Sequence, residues 1–127
     1  MIVHLSCIPA TLDSLQEDIL SPFNYLHALS GKKTRSKLIV AFDSWFRVPR
    51  EKLIIIEEII SMLHNASLLI DDIEDGSQRR RGEPAAHLVY GVPLTINAAE
   101  LACFLAMQKA LELDHPLVGR ILIGKAT

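Results

Sequence analysis

The sequence predicts an all-α protein. Apolar residues recur at helical spacing through most of its 127 residues. Helix-start signals stand at the right places: Pro49 with Glu51 behind it, and Asp114 with Pro116 behind it. No segment carries a convincing hairpin signal. "LIIIEEII" could be a strand by propensity, but its length and neighbours favour helix.

The elements follow in order. Leu12–Leu29 carries Leu12, Leu15, Ile19, Leu20 and Phe23 on one face, with Pro22 inside it. Proline gives no N–H to the turn before it, so a break is expected near Leu20–Ser21. "SGKKTRSK" is a polar joint leading to a second helix over 35–46. The third and longest spans 50–75, with Leu53, Ile56, Ile60, Leu63 and Ser67 on one face. Ile55, Ile59, Met62, Ala66 and Leu69 widen that face until burial is nearly all round. "GSQRRRGEP" is a loop. A helix over 93–113 comes next, then one over 115–127 with Asp114 as its N-cap. The last begins so late that Leu117, Ile121 and Leu122 are expected to lack a full set of neighbours. The whole reads as a single domain without internal repeats.

Composition narrows the classes. Half the residues are hydrophobic and 22% are charged, which is globular and not disordered. Thirteen basic against 15 acidic residues leave a net charge of −2, with no general pull towards nucleic acid or an anionic membrane. Cys7 and Cys103 lie far apart in apolar surroundings and read as free buried thiols. "MIVHLSCIPA" lacks the basic flank of a signal peptide, and the uncharged run Ile59–Ile70 is too short to cross a bilayer. A soluble cytoplasmic protein with no integral membrane segment is expected.

One stretch is chemically unusual. "LLIDDIEDGSQRRRGEP" sets Asp71, Asp72, Glu74 and Asp75 against three consecutive arginines. Asp71 and Asp75 share a helix face, and Asp72 sits about 100° round from Asp71. Like charges at that spacing repel, and the C-terminal end of a helix dipole disfavours anions. A divalent cation would offset both penalties. Oxygen ligands suit magnesium, which keeps waters and is often shared with phosphates. Guanidinium forks bind phosphate oxygens. Carboxylates, metal and arginines together describe a diphosphate site. The alternative is an ordinary solvated acidic helix end with a basic loop behind it. Glu57 and Glu58 read as a solvated face, and Arg79 as solvated.

"MLHNASLLIDDIEDGSQRRRGEPAAHLVYGVPLTINAAE" resembles the first aspartate-rich region of trans-prenyltransferases, most of all the geranylgeranyl diphosphate synthases of animals and fungi. "ALSGKKTRSKLIVAFDSWFRVPREKL" and "ALELDHP" resemble the same enzymes upstream and downstream, so the likeness runs from about Ile19 to Pro116. It implies the helical prenyl-synthase fold and condensation of an allylic diphosphate (dimethylallyl, geranyl or farnesyl) with isopentenyl diphosphate. Asp71, Asp72 and Asp75 match the catalytic D-D-x-x-D, in which Asp71 and Asp75 would hold Mg2+. Arg80 matches a contact to the allylic diphosphate. Lys32, Arg35, His64 and Arg81 match contacts to isopentenyl diphosphate. Ala66 and Ser67, just before the aspartates, are small, which favours a product longer than fifteen carbons. A homo-oligomer is implied for a full-length enzyme. The family's second aspartate-rich motif has no counterpart after Asp75, and "VGRILIGKAT" drifts from the pattern. The expectation is therefore the N-terminal part of a synthase, or else a non-catalytic remnant that binds diphosphate weakly or associates with a full-length synthase.

Overall fold

A computed structural model describes residues 10–29, 31 and 34–124, and within them the molecule is helical. In chain order the elements are α1 (Ala10–Ile19), α2 (Ser21–Ala28), α3 (Thr34–Phe46), α4 (Arg50–Glu74), β1 (Arg79–Arg80), β2 (Glu83–Pro84), α5 (Ala86–Tyr90), α6 (Val92–Ala110) and α7 (Val118–Gly124). A 3-10 turn, Leu111–Leu113, ends α6.

The segment 12–29 is two helices, not one. The chain restarts at Ser21 with Pro22 in the first turn of α2. The carbonyls on either side stay satisfied, since Leu20 N–H donates to Gln16 O at 3.0 Å and Asn24 N–H to Leu20 O at 2.8 Å. Proline at the start of a helix loses a hydrogen bond that no residue there makes anyway.

The core is a seam between α4 and α6. The buried face of α6 is Thr95, Ala98, Ala99, Ala102, Ala106 and Ala110. Residues this small let two backbones approach closely along their length. Phe23 and Leu26 of α2, Ala66 and Leu69 of α4 and Ala86 of α5 join Ala98, Ala99 and Ala102 in the main cluster. Further along, Ile59, Ala106 and Ala110 form a second cluster flanked by Ile55, Leu63, Leu113, Val118 and Leu122. An ion pair between Lys109 and Glu58, 2.6 Å, ties the outer edges of the same two helices.

Three sequence expectations are corrected. First, the loop after α4 is not without strand. Arg79 pairs with Pro84 and Arg80 with Glu83 in a short antiparallel ladder. The two residues between, Arg81 and Gly82, have φ of 53° and 91°. Positive φ at both central positions is what a primed hairpin turn requires. Second, Asp114 does not cap the last helix. It stands in the left-handed region (φ 47°) as the end of the 3-10 turn. Leu117 N–H then donates to His115 Nδ1 at 3.2 Å, which holds 115–117 as a turn and delays α7 to Val118. As expected, Leu117 and Ile121 are exposed, whereas Leu122 packs on the second cluster. Third, α4 has the length and hydropathy of a bilayer span, with a mean hydropathy of 1.7 over an 18-residue window of which 22% is buried. The short uncharged run therefore does not by itself exclude a span. The polar residues Asn65 and Asp72 are nevertheless buried within α4, which fits a helix of a folded bundle.

Candidate active site

The site lies where α4 ends. Asp75 N–H closes on Asp71 O at 2.9 Å, which fixes the two carboxylates one turn apart. Gly76, with φ of 63°, then ends the helix. Asp71 is exposed over 55% of its side chain, and Asp75 is also exposed.

Asp72 behaves differently. The 100° rotation from Asp71 turns it inward, and it is 1% exposed. An uncompensated buried carboxylate would be costly, and Arg80 supplies the compensation. Arg80 Nε donates to both Asp72 oxygens, at 2.9 and 3.1 Å, and Nη2 donates to Oδ1 as well. A longer contact, 3.5 Å, links Nη2 to Asp71 Oδ2. Hydrogen bonding to Asp72 is the main reason the Arg80 guanidinium is held above its ordinary pKa. The motif groups Asp72 with Asp71 and Asp75. The structure separates them: two carboxylates face outward and one anchors the arginine.

The three consecutive arginines go three ways. Arg79 is exposed and donates to Gly82 O at 3.4 Å. Arg80 turns to Asp72. Arg81 reaches back about two turns along the same face of α4, to Asn65, and enters a cavity of about 540 Å³. There its Nη1 donates to Leu26 O at 3.0 Å and Leu29 O at 2.8 Å, and its Nη2 to Asn65 Oδ1 at 3.0 Å. All three acceptors are neutral. Among the described residues Arg81 has no ion pair. Burial, then Arg35 and Arg80, push its pKa down. A partly buried cation with only dipoles for partners and further cations nearby is a site that an anion would stabilise.

Arg35, from the first turn of α3, lines the same cavity. Glu57 lines it too and is thus not merely part of a solvated face. His64 stands on α4 between the cavity and the aspartates without lining the cavity. Its pKa is lowered by burial first, then by Arg35, Arg81 and Arg80. That set of causes places His64 within the field of three site arginines. Lys32 lies outside the described residues. Ser67 is exposed, whereas Ala66 is buried in the main cluster.

The structure adds residues that motif reasoning passed over. Asn65 and His27 line the cavity, and Asn65 touches Arg81 directly. Tyr25 OH donates to Pro84 O at 3.0 Å, which pins the arginine hairpin to α2. A buried asparagine beside a site histidine was a signal in "LHNASL", but its partner, 16 residues later, was not visible.

Whether these residues could hold a metal can be judged from their geometry. Among the described residues no three His, Cys, Asp or Glu side chains converge on one point. An all-protein cage is thus absent there. The pair Asp71 and Asp75 offers hard oxygens at an open helix end. That suits an ion such as magnesium, which uses one or two carboxylates and fills its other positions with water and phosphate.

Comparison with known proteins places these features in a family. Residues 16–125 match the sequence profile of the polyprenyl synthetase family. The chain is similar to a protein named terpene synthase from Matsumurasca onukii, 53% identical over 111 residues, covering 87% of this chain and 37% of that protein. It is also similar to a geranylgeranyl pyrophosphate synthase of Mucor circinelloides f. lusitanicus, 52% identical over 103 residues, covering 81% of this chain and 34% of the relative. The geranylgeranyl pyrophosphate synthase penG of Penicillium ochrochloron is 57% identical over 99 residues, 78% of this chain and 28% of its own length. The chain thus spans about a third of the length of the curated relatives it matches. With nearly all of its helical body inside the family profile, it belongs to the polyprenyl synthetase family.

Proposed function

We propose that this chain serves a prenyltransferase that condenses an allylic diphosphate with isopentenyl diphosphate to give geranylgeranyl diphosphate. The observation that carries the reading is a division of labour at the end of α4. Two outward carboxylates, Asp71 and Asp75, lie at the helix end, and a cavity holding Arg35 and Arg81 lies earlier along the same side of α4, lined by its Glu57, Ile60, Ser61 and Asn65. Two diphosphates brought to these two places would lie one after the other along that side of the helix. The names of the relatives support geranylgeranyl diphosphate as the product.

In the reaction the allylic C–O bond breaks and its electrons leave with the diphosphate. The allylic carbon then bonds to the terminal alkene carbon of isopentenyl diphosphate, and a neighbouring proton is lost. Magnesium, when bound, would neutralise charge growing on the leaving group. The chain's own groups position and screen. Asp71 and Asp75 would supply the metal's protein oxygens. Arg80, steadied by Asp72, keeps Nη1 without an acceptor among the described residues and would turn it to the allylic diphosphate. Arg35 and Arg81, with Lys32, would hold isopentenyl diphosphate, and His64 would border it. Fixed dipoles and charges of this kind lower the barrier by preorganisation, with no covalent intermediate on the protein.

Farnesyl diphosphate and isopentenyl diphosphate, given to the chain with and without magnesium, test the reading. A twenty-carbon product that needs magnesium and is lost in Asp71→Asn supports it. A second signature is His64. An anion beside it would offset Arg35 and Arg81, so isopentenyl diphosphate should raise the His64 pKa from its lowered value.

A second reading has its own observation. Trp45 is 77% and Phe104 67% exposed, so the chain could act by association with a longer synthase. Magnesium-independent co-sedimentation with such a synthase, without product from the chain alone, would favour it. A cytoplasmic setting and a homo-oligomer are part of the proposal. The free thiol Cys103 is compatible with a reducing compartment.

A further inference from the structure

We propose that Asn65, oriented by His27, is a positioning residue that holds Arg81 for diphosphate binding. The inference rests on the cavity assignment above. It comes from a chain of polarities that leaves no freedom. A guanidinium only donates. Arg81 Nη2 lies 3.0 Å from Asn65 Oδ1, so the carbonyl end of the amide must face Arg81. The amide nitrogen then faces His27 Nδ1 at 3.1 Å. An amide nitrogen donates, so Nδ1 must carry a lone pair and the imidazole proton must sit on Nε2. His27 in turn stacks on Phe23, with ring centroids 6.0 Å apart, which fixes the ring plane.

Arg81 needs such a frame. Its backbone is in the left-handed region, where a side chain larger than glycine is strained. Three neutral acceptors hold its guanidinium, two of them carbonyls at the C-terminal end of α2. Gly31 closes the fourth side. A Cβ there would stand 3.4 Å from Arg81 Cζ. Three of five N–H groups are used, and Nε and one Nη2 hydrogen remain without an acceptor among the described residues. The frame thus leaves donors for a ligand, and none of the three acceptors is charged. Asn65, only 4% exposed, is the one side-chain member of that frame.

The test uses the full chain labelled at arginine nitrogen. Three variants are compared with the original: Asn65→Leu, which keeps the shape and removes the acceptor, His27→Phe, which keeps the stack and removes Nδ1, and Arg81→Ala. Side-chain Nε–Hε heteronuclear NOEs report the order of Arg81 without any ligand. Calorimetry reports affinity for isopentenyl diphosphate and, as control, geranyl diphosphate. In Asn65→Leu the Arg81 NOE should fall to that of exposed Arg79, and isopentenyl diphosphate should bind about tenfold more weakly, the scale of one charge-assisted hydrogen bond. Geranyl diphosphate should be unaffected. His27→Phe should give the same pattern at about a third of the size in free energy. In Arg81→Ala, adding Asn65→Leu should cost no further affinity. An Arg81 NOE unchanged in both Asn65→Leu and His27→Phe overturns the positioning role alone. So does equal weakening for both ligands, or a further loss on top of Arg81→Ala. If Arg81→Ala itself leaves isopentenyl diphosphate binding untouched, the cavity assignment fails and the positioning role fails with it.

Discussion

The α4–α6 seam and helix α3 are built from sequences of similar apolar content and end up in opposite states. Along the seam, α6 turns a row of alanines to α4 and buries every one of them. On α3, "TRSKLIVAFDSWF" buries nothing, and Leu38, Val40, Phe42, Trp45 and Phe46 are exposed. Hydrophobicity is thus a poor guide to burial here. What separates the two is a partner face at matching spacing. The difference matters because the site draws on both. Asp72, Arg80, Arg81 and Asn65 are framed by the packed part, whereas Arg35 rides on the helix that buries nothing. The aspartate end and the Arg81 frame are therefore preformed, and Arg35 depends on whatever steadies α3.

Substitutions can break that contrast in order of size. Asp72→Ala should cost the most, about 3 kcal/mol in urea unfolding, because it orphans Arg80 and removes one of the two side-chain ties between the arginine hairpin and α4. The low end of the usual range applies, since Arg80 keeps some access to water. Ala102→Leu, at a fully buried point of the seam, should cost about 2 kcal/mol by overpacking, read in the same assay. Trp45→Ser should lie within about 0.5 kcal/mol of the original, while lowering the signal of a dye that binds exposed apolar surface. If Trp45→Ser instead destabilised as much as Ala102→Leu, α3 would be packed in solution and the contrast would disappear.

Much of this was legible in the sequence, for identifiable reasons. Helix positions came from local periodicity and from Pro22 and Pro49, which act within one turn. The outward pairing of Asp71 with Asp75 follows from helix geometry alone. The inward turn of Asp72 is not legible locally, because its partner is Arg80, eight residues on, on a hairpin whose turn residue is an arginine instead of the usual asparagine. Nothing local marks Arg81 as left-handed. Its conformation is held by carbonyls of α2, more than fifty residues away in the chain. Asp114 failed as an N-cap for a similar reason, since the end of α6 claimed it first. Local rules found the elements, and contacts distant in sequence decided which charged groups face in and which face out.

The most direct test asks whether the carboxylate pair binds a diphosphate through a metal. Titration calorimetry of the chain with geranyl diphosphate, with and without magnesium, should show binding that weakens at least about tenfold when magnesium is withheld. Asp71→Asn keeps the volume and loses the charge, and in magnesium it should bind as weakly as the original does without it. Equal affinity in all three conditions would mean that Asp71 and Asp75 form only a solvated helix end, and that the diphosphate site lies elsewhere.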